Sequence, residues 1–398
     1  MATSTLKASR SMNAVAAVQS QTASRLLFID NIRVFLTILV ILHHVMIVYA
    51  GSGSWYYNEG RQDELTGAIG AWFCAVNQAY FMGLFLLISA YFVPGAYDRK
   101  GPRRFVKDRL IRLGIPVAVY SWIIGPILVY GMLALRGGVR VPFWDFYTGQ
   151  YFHVYGFLGG GPTWFIEAQL IFTLVYVLWR LLTRSGPAQP IEEARFPGSG
   201  SIVLFAVFLA VISFLVRLWF PVDWNFKPLN LQFPFFAQYI TLFVVGLIAY
   251  RRNWLLGLPD TVGRRWLMVA IVMIFLWWPG VLLGGGATSA EPFKGGWHWQ
   301  ALANTLWESF MCLSMCIGLI YLFRRRADRQ GQLARTLSRS AYAAYLWQGP
   351  LITLVALAAQ DVALYPLLKF VLAAVVIVPL CFMLGYLIRK LPYVDRVL

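Results

Sequence analysis

The chain is predicted to be all-α, a polytopic membrane bundle of about ten transmembrane helices with both termini in the cytoplasm. Three observations predict this. Of its 398 residues, 59% are hydrophobic and only 13% charged, where a soluble globular chain carries about 25% charged residues; the mean hydropathy is +0.63. Apolar stretches of about 20 residues, the length that crosses a bilayer, recur along the sequence between charged or Gly/Pro-rich punctuation. The basic residues gather in every second connection.

Taken in order, the apolar stretches predict spans near 27–49, 71–93, 112–134, 162–182, 201–220, 233–250, 266–284, 300–323, 340–358 and 364–388. The sixth begins at Pro234, and the ninth and tenth are parted around Asp361. Residues 1–24, MATSTLKASRSMNAVAAVQSQTAS, lack the apolar core of a cleaved signal peptide and are expected to form a mobile cytoplasmic tail. The expected membrane domain is 25–398, with no internal repeat and no separate soluble unit.

Orientation follows from counting Lys and Arg. One set of alternate connections, with the two tails, holds about 26 of the 34 basic residues. The other set holds Arg61, Arg136, Arg140, Lys227 and Lys294. By the positive-inside rule the first set is cytoplasmic. The same distribution accounts for the net charge of +17 without nucleic acid as a partner; membrane lipids are the expected surroundings. Cys74, Cys312, Cys316 and Cys381 all lie in apolar runs, so neither a disulfide framework nor a metal site is expected. The opposite connections are rich in Trp, Tyr, Gly and Pro. They read either as an aromatic belt at the interface or as a mouth that stacks on sugar rings.

Two clusters carry chemistry. The first span, FIDNIRVFLTILVILHHVMIVY, contains Asp30, Arg33, His43 and His44. Ionisable residues at membrane depth are costly and by default functional. Arg33 and His44 are eleven residues apart, about three helical turns, so they share one face at a separation of about 16 Å along the axis. Asp30 lies one turn before Arg33 on that face, and His43 points elsewhere. The second cluster precedes the third span, with seven Lys or Arg within fourteen residues. Arg104, Lys107, Arg109 and Arg112 there suit a phosphorylated ligand, because guanidinium groups grip phosphates bidentately. They would equally anchor a cytoplasmic loop or touch anionic lipid. Trp55 and Tyr56 follow the far end of the first span and could line an approach to His44. Glu167 stands inside the fourth span as a further costly carboxylate.

These residues resemble the acyltransferase-3 family of integral membrane acyltransferases. The R-x10-H motif is Arg33 to His44, preceded by FIDNIR. The arginine-rich motif is Arg104-Phe105, Arg109, Arg112 and Pro116. LLISAYFVP (Leu86 to Pro94) is similar to the family's ISGYF segment, GGPTWFIEAQL (Gly160 to Leu170) to its LWFL span, and AYAAYLWQGPL (Ala341 to Leu351) to its YLxHxP segment. In register, the five motifs cover residues 26–390, and the nearest branch is that of the glucan biosynthesis protein C succinyltransferases. One departure is that the histidine of YLxHxP is absent, with Gln348 and Gly349 in that region.

The resemblance implies a multi-pass protein of a bacterial inner membrane. Its implied reaction is transfer of an acyl group, of the acetyl or succinyl class, from acyl-CoA to a hydroxyl on a carbohydrate or other envelope acceptor. His44 would be the base or a transient acyl carrier, supported by Arg33 and Asp30. Arg104, Lys107, Arg109 and Arg112 would hold the CoA phosphates, and a pantetheine arm has the length to reach His44. Trp55, Tyr56 and Glu167 would contact the acceptor. The competing function class is a proton-coupled transporter or flippase using the same ionisable residues as a path, although the internal symmetry usual in such folds is missing.

Overall fold

The computed structural model describes residues 26–398 apart from 52, 60–62, 185 and 187–194. The expected tail, residues 1–24, lies outside the described residues, as does Arg61. Among the described residues, ten helices are long and apolar enough to cross a membrane: α1 Leu27–Ala50, α2 Glu64–Tyr91, α3 Val93–Leu135, α4 Gly161–Thr183, α5 Ser199–Arg217, α6 Phe233–Arg251, α7 Asp260–Leu283, α8 Trp299–Arg326, α9 Gln332–Ala358 and α10 Pro366–Ile388. Among the described residues the only extended pairing is a lone bridge between Phe226 and Leu231. The chain is a multi-pass, all-α membrane protein.

Six of the ten helices agree with the predicted spans to within a few residues, whereas α2, α3, α7 and α9 begin well before theirs. α2 begins at Glu64, capped by Asp63, whose carboxylate accepts the Thr66 N–H at 2.9 Å. It breaks at Ala79–Tyr80 before continuing as Phe81–Tyr91. α3 begins at Val93 because the basic connection is itself helical, bent at Gly101 (φ 71°, ψ 164°) ahead of Pro102. Glycine is the residue that adopts such a φ without strain, and Pro102 supplies no N–H to the preceding turn. Beyond the bend, α3 widens into π-helical turns at Leu110–Gly114 and Tyr120–Ile124, a form that recurs at functional sites.

Packing distinguishes a centre from a periphery. In α1 and α2, 72% of the apolar window is buried, against 11% in α7. α1 touches α2, α8, α9 and α10, so α7 faces lipid while α1 is enclosed by protein. At Gly246 in α6, a β-carbon would stand 2.3 Å from the Leu87 carbonyl of α2, a helix approach that only glycine permits.

The basic connections meet at one end of the bundle. Asn31 of α1 donates to the Ala327 carbonyl (2.6 Å), Arg324 to the Leu256 carbonyl (2.6 Å), and Arg389, just past α10, to the Arg339 carbonyl (2.8 Å). Arg180 of α4 pairs with Asp98 of α3 at 2.8 Å. The aromatic connections are tied together at the other end, where Lys369 pairs with Glu59 and Asn230 donates to the Leu158 carbonyl at 2.9 Å. Arg217 and Glu308 form a third largely buried ion pair, at 2.7 Å, between α5 and α8. Removing one partner of such a pair costs about 3–5 kcal/mol, because the other charge is left buried alone.

Candidate active site

His44 lies six residues from the aromatic end of α1 and Arg33 six from its basic end. The intervening turns are Val/Ile/Leu-rich, so the helix holds both side chains on a rigid, buried rod. Consecutive positions on that rod face different neighbours. His43 is buried against Phe81 of α2, ring centroids 5.0 Å apart, and among the described residues its Nδ1 has no hydrogen-bond partner. His44 faces α9, where its Nδ1 sits 3.1 Å from Gln348 Oε1. The two imidazoles meet edge to face at 5.7 Å.

The connection after α1 folds back over its own helix. Gly51 closes α1 in the left-handed conformation and the Glu59 N–H donates to the Val48 carbonyl at 3.0 Å. This return lays the Trp55 indole flat on the His44 ring, with centroids 4.0 Å apart and planes 20° apart. One indole face, predicted to receive an acceptor, is therefore occupied by the imidazole. Tyr56 turns away toward α3, where its hydroxyl lies 3.4 Å from that of Tyr120. Gly349, next to Gln348, gives the Tyr120 hydroxyl its room: a β-carbon there would lie 2.2 Å from it. His44 thus lies beneath the Trp55 indole, whose neighbour Tyr56 reaches across to Tyr120 of α3.

At the basic end, Arg33 and Asp30 approach to 3.9 Å, as their spacing of three predicts. Arg109 of α3 lies within electrostatic reach of both Arg33 and Arg112. Arg109 also rests over the Phe105 ring at 5.0 Å, which fixes its direction. Pro116 has no N–H to offer the Arg112 carbonyl one turn earlier, and the Tyr342 hydroxyl of α9 donates to that carbonyl at 2.7 Å instead. So α1, α3 and α9 converge both at the cationic group and, through Gln348, at His44. Arg104 and Lys107 are exposed on the same amphipathic stretch, and Arg104 with Arg112 flanks Asp108, which pairs with Lys100 at 2.6 Å.

Glu167 is buried at the start of α4, beside Gly159 and the Leu229 carbonyl, with its Oε2 unpartnered among the described residues. No contact joins it to His44 among the described residues. His298 lines a depression of about 480 Å³ with Arg217 and Lys294 on the aromatic side, and that depression includes no residue of the His44 cluster.

Sequence reasoning missed the role of Gln348, which registered only as a departure from a motif. Its contact with His44 spans 304 residues, so no local pattern announces it. Tyr120 and Tyr342 were missed for the same reason.

Comparison with known proteins identifies the family. The family described as an acyltransferase domain matches residues 26–386. The glucans biosynthesis protein C of Salmonella schwarzengrund (strain CVM19633) is 25% identical over 247 residues, 58% of this chain and 60% of that protein. The protein of the same name from Salmonella heidelberg (strain SL476) matches to the same extent. The chain thus spans 60% of the length of these relatives. With its ten membrane helices and a family match that runs from the first span to the last, the chain belongs to the acyltransferase-3 family of membrane acyltransferases.

Proposed function

We propose that this acyltransferase moves an acyl group from acyl-CoA to a hydroxyl of a carbohydrate acceptor, with His44 as the general base. The supporting observation is the arrangement along α1: a cationic group of Arg33, Arg109 and Arg112 near one end, and an aromatic-capped imidazole about 16 Å further along the helix. Phosphates and thioester lie at opposite ends of CoA, and the two parts of the site are spaced to receive them. The relatives' printed name, glucans biosynthesis protein C, supports a glucan or similar glycan as the acceptor class.

In this mechanism a neutral imidazole nitrogen removes the acceptor O–H proton as the oxygen attacks the thioester carbonyl. The new C–O bond forms, the C–S bond breaks, and the imidazolium returns its proton to the departing CoA thiolate. Arg33 and Asp30 sit too far from His44 to touch the reacting atoms, so their part is to hold the donor and the end of the helix. Arg109 and Arg112 grip the phosphates from α3, with Arg104 and Lys107 adding long-range attraction. The basic end is then the cytoplasmic one, both termini included, as suits a donor made in the cytoplasm of a bacterium whose inner membrane holds the enzyme. The match to an acyltransferase domain over residues 26–386 favours acyl transfer over the transporter reading.

The test is CoA release by the purified protein, using acetyl-CoA and succinyl-CoA with a soluble β-glucan. His44→Ala is expected to remove at least the roughly 10²–10⁴-fold that a positioned base supplies, while leaving the detergent-solubilised protein monodisperse. Undiminished acceptor-dependent CoA release by that variant contradicts the proposal.

A further inference from the structure

We infer that Gln348 is a positioning residue: its amide oxygen holds His44 in the tautomer protonated at Nδ1, leaving Nε2 as the nitrogen that takes the proton. This rests on the reading of His44 as the base. The geometry has three parts. Gln348 is fully buried on α9, and its Oε1 lies 3.1 Å from His44 Nδ1. An amide oxygen only accepts, so the ring nitrogen facing it carries the hydrogen. The ring plane is independently set by the Trp55 stack at 4.0 Å and by the edge of His43 at 5.7 Å.

The backbone beneath Gln348 is held from both sides. Tyr345 donates its hydroxyl to the Pro162 carbonyl, and Thr353 donates to the Gly349 carbonyl at 2.9 Å. The other end of the amide tells against a purely structural role. Gln348 Nε2 is buried with no hydrogen-bond partner among the described residues, and an orphaned donor destabilises a fold. A residue kept only for packing would be better replaced by leucine or methionine. What glutamine adds is one acceptor oxygen, and that oxygen is spent on the imidazole. Unlike the histidine of the related segment, an amide does not titrate and cannot switch between donor and acceptor at the same atom. Held in this orientation, the amide oxygen selects the Nδ1–H tautomer.

The test combines two readouts. In protein labelled with 15N-histidine, the His44 ring signals, assigned by their loss in His44→Ala, are expected to show an Nδ1–H, Nε2-unprotonated imidazole. In Gln348→Leu those signals should shift toward a mixture of tautomers. Its kcat should fall on the order of 10- to 100-fold, a part of what a positioned base supplies, with the KM for acyl-CoA unchanged and thermal stability not lowered. Gln348→Glu keeps an acceptor oxygen and should recover tautomer and rate relative to Gln348→Leu. The inference is overturned by an Nε2–H tautomer in the unaltered protein, which needs no variant to fold. It is also overturned by a Gln348→Leu protein of unchanged kcat, or by one whose rate and stability fall together with its tautomer unaltered. Failure of the base reading is separate, since it would appear as an active His44→Ala protein whatever the tautomer proves to be.

Discussion

At the scale of single residues, the environment of His44 is as informative as its identity. A base that must deprotonate a sugar hydroxyl in preference to water needs a dry approach, and Trp55 covers one face of the imidazole. Trp55→Ala should therefore admit water: acyl-CoA hydrolysis without acceptor should rise relative to transfer, with CoA binding unaltered. Thiol release measured with and without glucan checks this, and Trp55→Phe should fall between the two. An unchanged ratio of hydrolysis to transfer would remove the covering role. Much of this site was legible in the sequence. Arg33 and His44 announce themselves because charge and imidazole are costly in an apolar span, and the eleven-residue spacing separates His44 from His43 by face. The Trp55 stack was only half legible. The sequence places that residue just beyond α1, but the backward fold at Gly51 that lays the ring on His44 depends on loop geometry.

At the scale of elements, α3 carries the donor argument. Its bend was open to reading at Gly101-Pro102, a helix-breaking pair, although the span prediction passed over it. The π-helical turn that follows was not, because nothing in composition distinguishes wide from ordinary helical winding. In an α-helix Arg109 and Arg112 would lie about 60° apart; the wider π turn spreads them, and Arg109 keeps both Arg33 and Arg112 within electrostatic reach. Neutralising Arg109 and Arg112 together should raise the KM for acyl-CoA about tenfold or more, each charge-assisted hydrogen bond contributing about 1.5–3 kcal/mol less solvent screening. High salt should produce a similar weakening in the unaltered protein. Steady-state kinetics over a range of donor concentrations decides it; an unchanged KM in the double variant would return these arginines to anchoring the connection.

At the scale of the whole molecule, the alternation of basic and aromatic connections was the strongest signal in the sequence, and the helices bear it out by bringing each set to its own end. Such topology is legible because the bilayer imposes it: length and apolar content specify a span, and basic residues mark one side. The pairing of elements is not legible in the same way. The buried pairs Arg217–Glu308, Arg180–Asp98 and Lys369–Glu59 join residues 82 to 310 positions apart, and each depends on how helices pack. In the proposed reaction the donor reaches His44 from the basic end of α1 and the acceptor from its aromatic end. Sealed vesicles holding the protein in one known orientation, loaded with β-glucan and given radiolabelled acyl-CoA outside, test it most directly. With the basic end outward, label should accumulate on the enclosed glucan while free CoA appears outside, and His44→Ala vesicles should show neither. Transfer that occurs only when donor and glucan are on the same side would contradict it.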